Sequence, residues 1–409
     1  MVEAVAQFQK ALDQLGLLSE TPERQRQELQ LDSALGAALV AVKGFAAPET
    51  GHVYSRAREL WEQLGSPSEF LRVPFGQSVY HMFRGELELA QHLAEDLLRL
   101  SRQRNDAAGL VLGHLSAGGN LMSAGKFASS RSLLEEALAL YEPHSHAPLV
   151  NQAGFHPQVG VRGYLGLDLS CLGLLDKALA QSDTAVVEAQ TLGHPPTLAV
   201  GLGFSIMLLS ILGTDAVLDE RANQLFEVTT EQGFTRWGAQ ATVYRGWARA
   251  NNGDIAEGIS LLRIGSAAYR ATGAETWMPY YIGLLAKACE IAGQIEESST
   301  LLDDALQTVA KTEERWYAAE LNRHKGQLLL RQGHTEAADE LYRKALSIAR
   351  EQEAKLWELR AAVSLAQLRR DQGRRVEARD LLAPVYGWFT EGFDTLDLKD
   401  AKALLDELT

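Results

Sequence analysis

The segment Gly119 to Phe127, GNLMSAGKF, is the part of the chain closest to a phosphate-binding loop. Such a loop has two glycines five residues apart, then Lys and Ser or Thr, because backbone amides hold the phosphates and the hydroxyl binds magnesium. Here Gly119 and Gly125 are one residue too far apart, and Phe127 replaces the hydroxyl. The spacing predicts a structural role for Gly125 rather than a nucleotide site.

Two further sets of residues could bind a metal or act as nucleophiles. His144, His146 and His156 lie near Glu142, and imidazoles with a carboxylate can bind zinc. Their spacing is not that of a helical metal motif, so we expect solvated loop residues. The two cysteines of the chain lie in apolar segments and are expected to be buried, inert thiols. The sequence predicts no catalytic residue, no metal and no cofactor, and therefore a protein that is not an enzyme.

Six arginines near the C-terminus suggest a nucleic-acid surface, but acidic residues are interleaved with them. The chain has a net charge of −14, and an acidic protein repels phosphate backbones. We therefore expect a salt-bridged, solvated surface and no nucleic-acid partner. The arginines are Arg360, Arg369, Arg370, Arg374, Arg375 and Arg379.

Four aromatic residues recur at intervals of 40 residues: Trp237, Trp277, Tyr317 and Trp357. The favoured interpretation is packing between repeated units. The alternative is a row of anchors along a binding groove.

Eight glycines divide the chain with the same 40-residue step, apart from one step of 48. A fixed period of this size is typical of a solenoid, in which one supersecondary unit is stacked many times. The longer step predicts an insertion near residues 141–158. The glycines are Gly85, Gly125, Gly173, Gly213, Gly253, Gly293, Gly333 and Gly373.

Each unit reads as a helix, a tight turn at the glycine and a second helix. Residues seven before and five after the glycine are small in seven of the eight units, as at Gly326 and Ala338 around Gly333. Small residues at both positions allow the two backbones to approach closely. HEAT and armadillo repeats have periods nearer to 40, but this pattern, with Tyr342 and Ala345, resembles the tetratricopeptide repeat (TPR).

The predicted fold is all-α, a right-handed superhelical solenoid of about nine to ten TPR-like helix pairs with a period of about 40 residues. We expect the solenoid to span residues 1–396 and to open on a half repeat at 1–16. Residues 397–409 would form a C-terminal capping helix. The half repeat has two interpretations, a fragment of a longer protein or a natural cap.

Several segments resemble the C-terminal tetratricopeptide region of bacterial adenylate/guanylate cyclase and AAA-type ATPase signalling proteins. The resemblance implies an interaction or sensory region, and it transfers no catalytic residue because the cyclase and ATPase domains lie outside this chain. The segments are residues 23–65, 231–259, 271–297, 314–333 and 369–408.

The first helix of each pair is expected to line a concave groove with an apolar centre and with basic and amide groups towards both ends. Such a groove suits an extended peptide or a helix. The candidate groove residues are Arg72, Gln240, Trp247, Asn251, Tyr280, Lys287, Arg323 and Gln327, and further inward positions are Met207, Arg360, Gln367, Gly160, Gly163 and Gly203.

The predicted function is a non-catalytic protein-interaction or sensory scaffold of a signalling ATPase or cyclase, with a protein or peptide partner. The alternative is a small-molecule or peptide receptor that controls an effector domain. The N-terminus lacks the features of a signal peptide, and the apolar stretch 198–213 is typical of a buried helix. We therefore expect a cytoplasmic protein without a membrane contact, whose partner and oligomeric state the residues leave open.

Overall fold

The computed structural model describes residues 2–67 and 70–409, apart from the side chains of Arg72 and Asp215. Within these residues the chain forms 22 helices and no strand. Nine antiparallel helix pairs follow one another, as the period predicts.

Helix α1 (Val2–Leu15) precedes the first pair and packs on it. Two short helices occupy the predicted insertion, and a last helix follows the ninth pair. In chain order the elements are α2 (Pro22–Lys43) with α3 (Pro48–Gln63), α4 (Arg72–Phe83) with α5 (Leu87–Arg104), α6 (Ala107–Ser123) with α7 (Phe127–Leu140), the short α8 (Pro143–His146) and α9 (Leu149–Ala153), α10 (Pro157–Cys171) with α11 (Leu175–Leu192), α12 (Pro195–Leu212) with α13 (Asp215–Gln232), α14 (Thr235–Asn251) with α15 (Ile255–Ala271), α16 (Met278–Ile291) with α17 (Ile295–Thr312), α18 (Ala318–Arg331) with α19 (Thr335–Glu351), α20 (Lys355–Asp371) with α21 (Arg375–Tyr386), and α22 (Leu396–Glu407).

In the eight pairs from α4–α5 onward, the turn between the two helices depends on a periodic glycine. All eight periodic glycines have a positive φ, between 72° and 96°, which is the left-handed conformation that ends a helix without a Cβ clash. The small residues on either side meet across the pair. Ser78 Oγ donates to the carbonyl of Ala90 at 2.7 Å, and Ser130 Oγ donates to the carbonyl of Gly118 at 2.8 Å. The predicted close approach of the two backbones is therefore present.

Successive turns of the superhelix rest directly on one another. Thr235 Oγ1 donates to the carbonyl of Val42, 193 residues earlier in the chain, at 2.8 Å. The backbone N–H of Glu275 donates to Phe83 O at 2.8 Å, and the N–H of Trp316 donates to Ser123 O at 3.2 Å. Each bond joins the end of one first helix to the start of the first helix five pairs later. The solenoid therefore completes a turn in about five pairs.

The periodic aromatic residues lie at these junctions. Trp277 and Trp357 are almost fully buried, and so is Trp316, which follows the same register one residue earlier than Tyr317. The rings of Trp277 and Trp316 are 5.6 Å apart, and Trp357 Nε1 donates to Trp316 O at 3.1 Å. These side chains close the space between repeats and between turns, which agrees with the packing interpretation.

Helix α12 is long and apolar enough to cross a membrane by length and composition. In this structure 78% of that stretch is buried among neighbouring helices. Core helices of this kind meet the same criteria as membrane spans.

The contact between turns makes a prediction for two equivalent glycines. A Cβ on Gly173 (φ 82°) would lie 2.9 Å from Lys355 Cβ, whereas a Cβ on Gly333 (φ 84°) would meet nothing within 4 Å. Gly333→Ala should cost about 1–2 kcal/mol because of its left-handed backbone. Gly173→Ala should lower the free energy of unfolding by about 1–3 kcal/mol more than Gly333→Ala, since its methyl group also overpacks the contact with Lys355. Urea unfolding of both variants measures the difference, and equal losses would contradict the contact.

Candidate functional site

The inner side of the superhelix contains two cavities, both lined mainly by first helices. The first, which we call the apolar cavity, is a recess with about 550 Å³ of space not occupied by protein atoms, part of it open to solvent. It lies where the first turn of the superhelix meets the second, and its lining includes Phe75, Met82, Phe83, Tyr164, Phe204, Met207, Arg236, Trp237, Gln240 and Trp277.

The second, which we call the polar cavity, is larger, at about 1120 Å³. It lies between α12, α14, α16, α18 and α20, and the N-terminal turn of α22 lines it as well. Its lining includes Ser210, Trp247, Tyr280, Lys287, Tyr317, Arg323, His324, Gln327, Arg360, Gln367, Asp397 and Asp400.

The structure brings five of the eight candidate groove residues together in the polar cavity, where Arg360 and Gln367 join them. These five are Trp247, Tyr280, Lys287, Arg323 and Gln327.

The other three candidates lie elsewhere. Gln240 lines the apolar cavity, together with Met207 and Gly203. Asn251 is the exposed last residue of α14 and lines neither cavity. Arg72 begins α4, and its side chain lies outside the described part of the chain. A binding role for any of the eight stays a prediction.

A buried carboxylate organises the floor of the polar cavity. Glu320 is 1% exposed, and its two oxygens accept from Arg323 Nε at 2.6 Å and Nη2 at 2.8 Å. Arg360 Nη1 donates to the same carboxylate at 3.1 Å and forms a second, bidentate pair with Asp397 at 2.8 Å. Arg360 also donates to the carbonyl of Ile211 at 2.6 Å. This network joins α12, α18, α20 and α22 around the cavity.

The network also fixes the charge of Glu320. Burial raises the pKa of this carboxyl, but the charges of Arg323 and Arg360 outweigh burial and hold the pKa well below its ordinary value of 4.5. Glu320 is therefore a carboxylate at neutral pH, paired with two arginines.

Other polar groups of the cavity are less completely satisfied. Lys287 Nζ lies 4.0 Å from the nearest oxygen of Glu290, and burial, together with the charge of Arg323, lowers the pKa of Lys287. His324 is buried, and burial holds its pKa well below 6.5, so its ring is neutral at pH 7. Among the described residues, His324 Nδ1 and Gln327 Oε1 have no hydrogen-bond partner. The described part of the protein therefore leaves these two atoms unpaired beside the polar cavity.

Glu320, His324 and Asp397 were not among the sequence candidates. Glu320 has one available signal, since an acid three residues before Arg323 in a helix buried on both sides requires a partner. Nothing in the sequence indicates that Asp397 reaches Arg360, because that contact depends on how α22 folds back.

The histidines of the insertion do not converge on one point. His146 Nδ1 accepts from the backbone N–H of Glu142 at 3.0 Å, whereas His156 Nε2 lies 2.9 Å from Tyr141 Oη. Among the described residues no group of three or more metal-ligating side chains occurs. Gly125 forms a repeat turn, with φ 76°.

Four of the six C-terminal arginines pair with acids, Arg360 among them, whereas Arg375 donates to the backbone carbonyl of Glu407 and Arg379 to Thr409 Oγ1. Arg370 Nη1 is 2.7 Å from Glu407, and Arg374 and Arg369 pair with Glu377 and Asp339.

Comparisons with known proteins show the fold. No protein-family model matches the sequence. An uncharacterized protein of Rhizobium meliloti (strain 1021) is 23% identical over 379 residues. The match covers 90% of this chain but 36% of that protein, so the chain spans about a third of the relative's length.

Among solved structures, a Rap protein complexed with competence and sporulation factor has a TM-score of 0.55 at 12% identity, over 84% of this chain and 97% of that one. The Cut9–Hcn1 hetero-tetramer of APC/C has a TM-score of 0.49 at 12% identity, over 96% and 67% of the two chains. The chain is an all-α solenoid of TPR-like helix pairs, similar in fold to the Rap structure.

The carboxylate of Glu320 gives a pH-dependent prediction. Glu320→Gln leaves Arg323 with a buried, uncompensated charge, while Arg360 keeps its pair with Asp397, and the substitution should lower the free energy of unfolding by about 3–5 kcal/mol at pH 7. The pKa of Glu320 is lower in the folded state than in the unfolded chain. Its contribution to the free energy of unfolding is therefore complete above about pH 4.5 and is lost as the pH falls towards the folded-state pKa. The difference in the free energy of unfolding between wild type and Glu320→Gln should therefore decrease as the pH is lowered.

The measurement is urea unfolding from pH 7 to pH 3, with the exposed Glu340→Gln as the control, expected within about 0.5 kcal/mol of wild type. A difference in the free energy of unfolding that stays constant with pH would contradict the assignment of Glu320 as a paired carboxylate.

Proposed function

We propose that this chain is a non-catalytic protein-interaction scaffold that binds an extended peptide or a helix in the polar cavity. The observation that supports this most is the composition of that cavity. Aromatic walls at Trp247, Tyr280 and Tyr317 lie beside Lys287 and the amides of Gln327 and Gln367. Binding sites for peptides combine apolar surface with a few convergent polar groups in this way.

The charges around the cavity suit a segment with both signs of charge. Lys287 lies on α16, and Asp397 and Asp400 lie at the start of α22, where Asp400 is exposed. Arg323 and Arg360 are occupied by Glu320 and Asp397, so Lys287 is the cation least engaged with the protein's own acids. A peptide carboxylate would bind near Lys287, and a peptide amine or basic side chain near Asp400.

The similar solved structure supports binding by this fold, since that Rap protein is complexed with competence and sporulation factor. The shared architecture supports a bound partner and leaves its identity open, because 12% identity is too low to transfer a ligand.

We further propose that the scaffold works within a signalling ATPase or cyclase. The five sequence segments that resemble the tetratricopeptide region of such proteins support this. The Rhizobium meliloti relative is a longer protein, and a longer polypeptide is compatible with an additional effector domain.

Peptide selection tests the polar cavity. Linear peptides selected from a random phage-displayed library on the wild-type chain should bind at least about tenfold more weakly to Lys287→Glu, which reverses the charge on α16. Val363→Trp should have the same effect, since this partly buried residue lines the cavity and a larger ring fills it. Fluorescence anisotropy with labelled peptides measures both.

The matched control is Arg343→Glu, because Arg343 is largely exposed on the second helix α19 and lines neither cavity. This variant should bind as wild type does. Selected peptides that bind all the variants equally, or a library that yields no binder, would contradict the assignment.

The signalling context has a separate test. The native polypeptide, isolated from its source with an antibody raised against this chain, should hydrolyse ATP or form a cyclic nucleotide. An isolated polypeptide with neither activity would contradict the signalling context and leave the peptide result unaffected.

A further inference from the structure

Arg236 is a buried cation without a carboxylate partner. It is 3% exposed at the start of α14, and no described carboxylate lies within ion-pair distance of it. Its Nη2 makes one long hydrogen bond, 3.4 Å from Tyr269 Oη. Its Nε and Nη1 have no hydrogen-bond partner among the described residues. A buried charge in this state is costly unless something else compensates it.

Aromatic rings supply part of that compensation. The guanidinium carbon lies 4.0 Å from the ring centre of Trp237, 4.4 Å from that of Phe83 and 5.4 Å from that of Tyr269. Cation–π contacts of this kind contribute up to about 2 kcal/mol each when water is excluded. They act on the face of the guanidinium, however, and leave its N–H groups in the ring plane unsatisfied.

The unsatisfied groups border a cavity. Arg236 and Gln240 both line the apolar cavity, and Gln240 Oε1 also has no partner, although its Nε2 donates to Gly203 O at 3.2 Å. The remaining walls are mostly aromatic and aliphatic, including Phe75, Met82 and Phe204. The cavity thus combines an apolar body with one unpaired cation.

We propose that the apolar cavity is a binding site for a small organic carboxylate with an apolar or single-ring body. The planar fork of a guanidinium matches the two oxygens of a carboxylate, and the bond is strong where water is excluded. Small-molecule sites combine mostly apolar walls with a few placed polar groups in the same way. An inorganic anion fits poorly, because the apolar walls would leave most of its oxygens without a donor.

This site is distinct from the polar cavity and does not depend on peptide binding there. Its residues come from α4, α6, α10, α12 and α14 and from the segments before α3, α10 and α16, so an occupant would contact both sides of a junction between superhelical turns. A carboxylate bound there would stabilise the folded chain.

The experiment uses the full chain with benzoate as the probe, and benzamide and inorganic phosphate as comparison compounds. Benzoate should bind in isothermal titration calorimetry and raise the melting temperature. Benzamide, which keeps the ring but lacks the charge, should bind at least about tenfold more weakly. Phosphate should not bind in the cavity.

Arg236→Gln should weaken benzoate binding at least about tenfold. The matched control is Arg245→Gln on the same helix, where the guanidinium lies 4.2 Å over the ring of Phe226 and lines neither cavity. This control should bind benzoate as wild type does.

Val200→Phe gives a second variant that leaves Arg236 in place, because Val200 lines the cavity and a ring there reduces its volume. This variant should also lose benzoate, which keeps the proposal testable if Arg236→Gln does not fold. Three results would overturn the proposal: no binding of benzoate by wild type at millimolar concentration, equal binding of benzamide, or retained binding in Val200→Phe.

Discussion

The contact between successive superhelical turns is the constraint on which the inner architecture depends. Backbone donors at Glu275 and Trp316 bond to carbonyls that end first helices one turn earlier, and buried tryptophans fill the same junctions. An open solenoid would expose the first helices along a continuous groove. In this chain the turns are in contact, and the apolar cavity and the polar cavity share no lining residue, so each offers a ligand a separate site.

Much of the fold follows from local rules that are visible in the sequence. Gly333 needs a left-handed turn, and Gly326 needs to be small because a Cβ there would lie 2.7 Å from the ring of Tyr342 and 3.3 Å from the carbonyl of Ala338, so periodic glycines and small residues specify helix pairs. The superhelical pitch does not follow from such rules. The pitch results from small rotations added over five pairs. Nothing in the sequence around Gly173 or Lys355 indicates that these two residues come into contact. The periodic aromatic residues mark these junctions, and their spacing favours packing over ligand anchoring, but it does not indicate which distant pairs touch.

The candidate site was predictable to a similar extent. Inward positions on α14, α16 and α18 could be assigned from the helical register, which placed Trp247, Tyr280 and Arg323 around one cavity. The register does not indicate which inward charges are neutralised. Glu320 and Asp397 pair with the arginines of the polar cavity, whereas Arg236 has aromatic neighbours and no acid. Whether an inward arginine has an acidic partner depends on contacts between helix pairs that are distant in the sequence. The arginines of the polar cavity have such partners, whereas Arg236 in the apolar cavity has none among the described residues.

Hydrogen–deuterium exchange of individual amides tests the contact between turns most directly. The amides of Glu275 and Thr276 precede α16 and donate to Phe83 O, at 2.8 and 3.2 Å, rather than to a carbonyl of their own helix. Closed packing of the turns predicts slow exchange at both positions, comparable to that of the neighbouring helices. Exchange of these two amides at the rate of an unstructured peptide, while α16 stays protected, would show that the turns do not touch and would contradict this account.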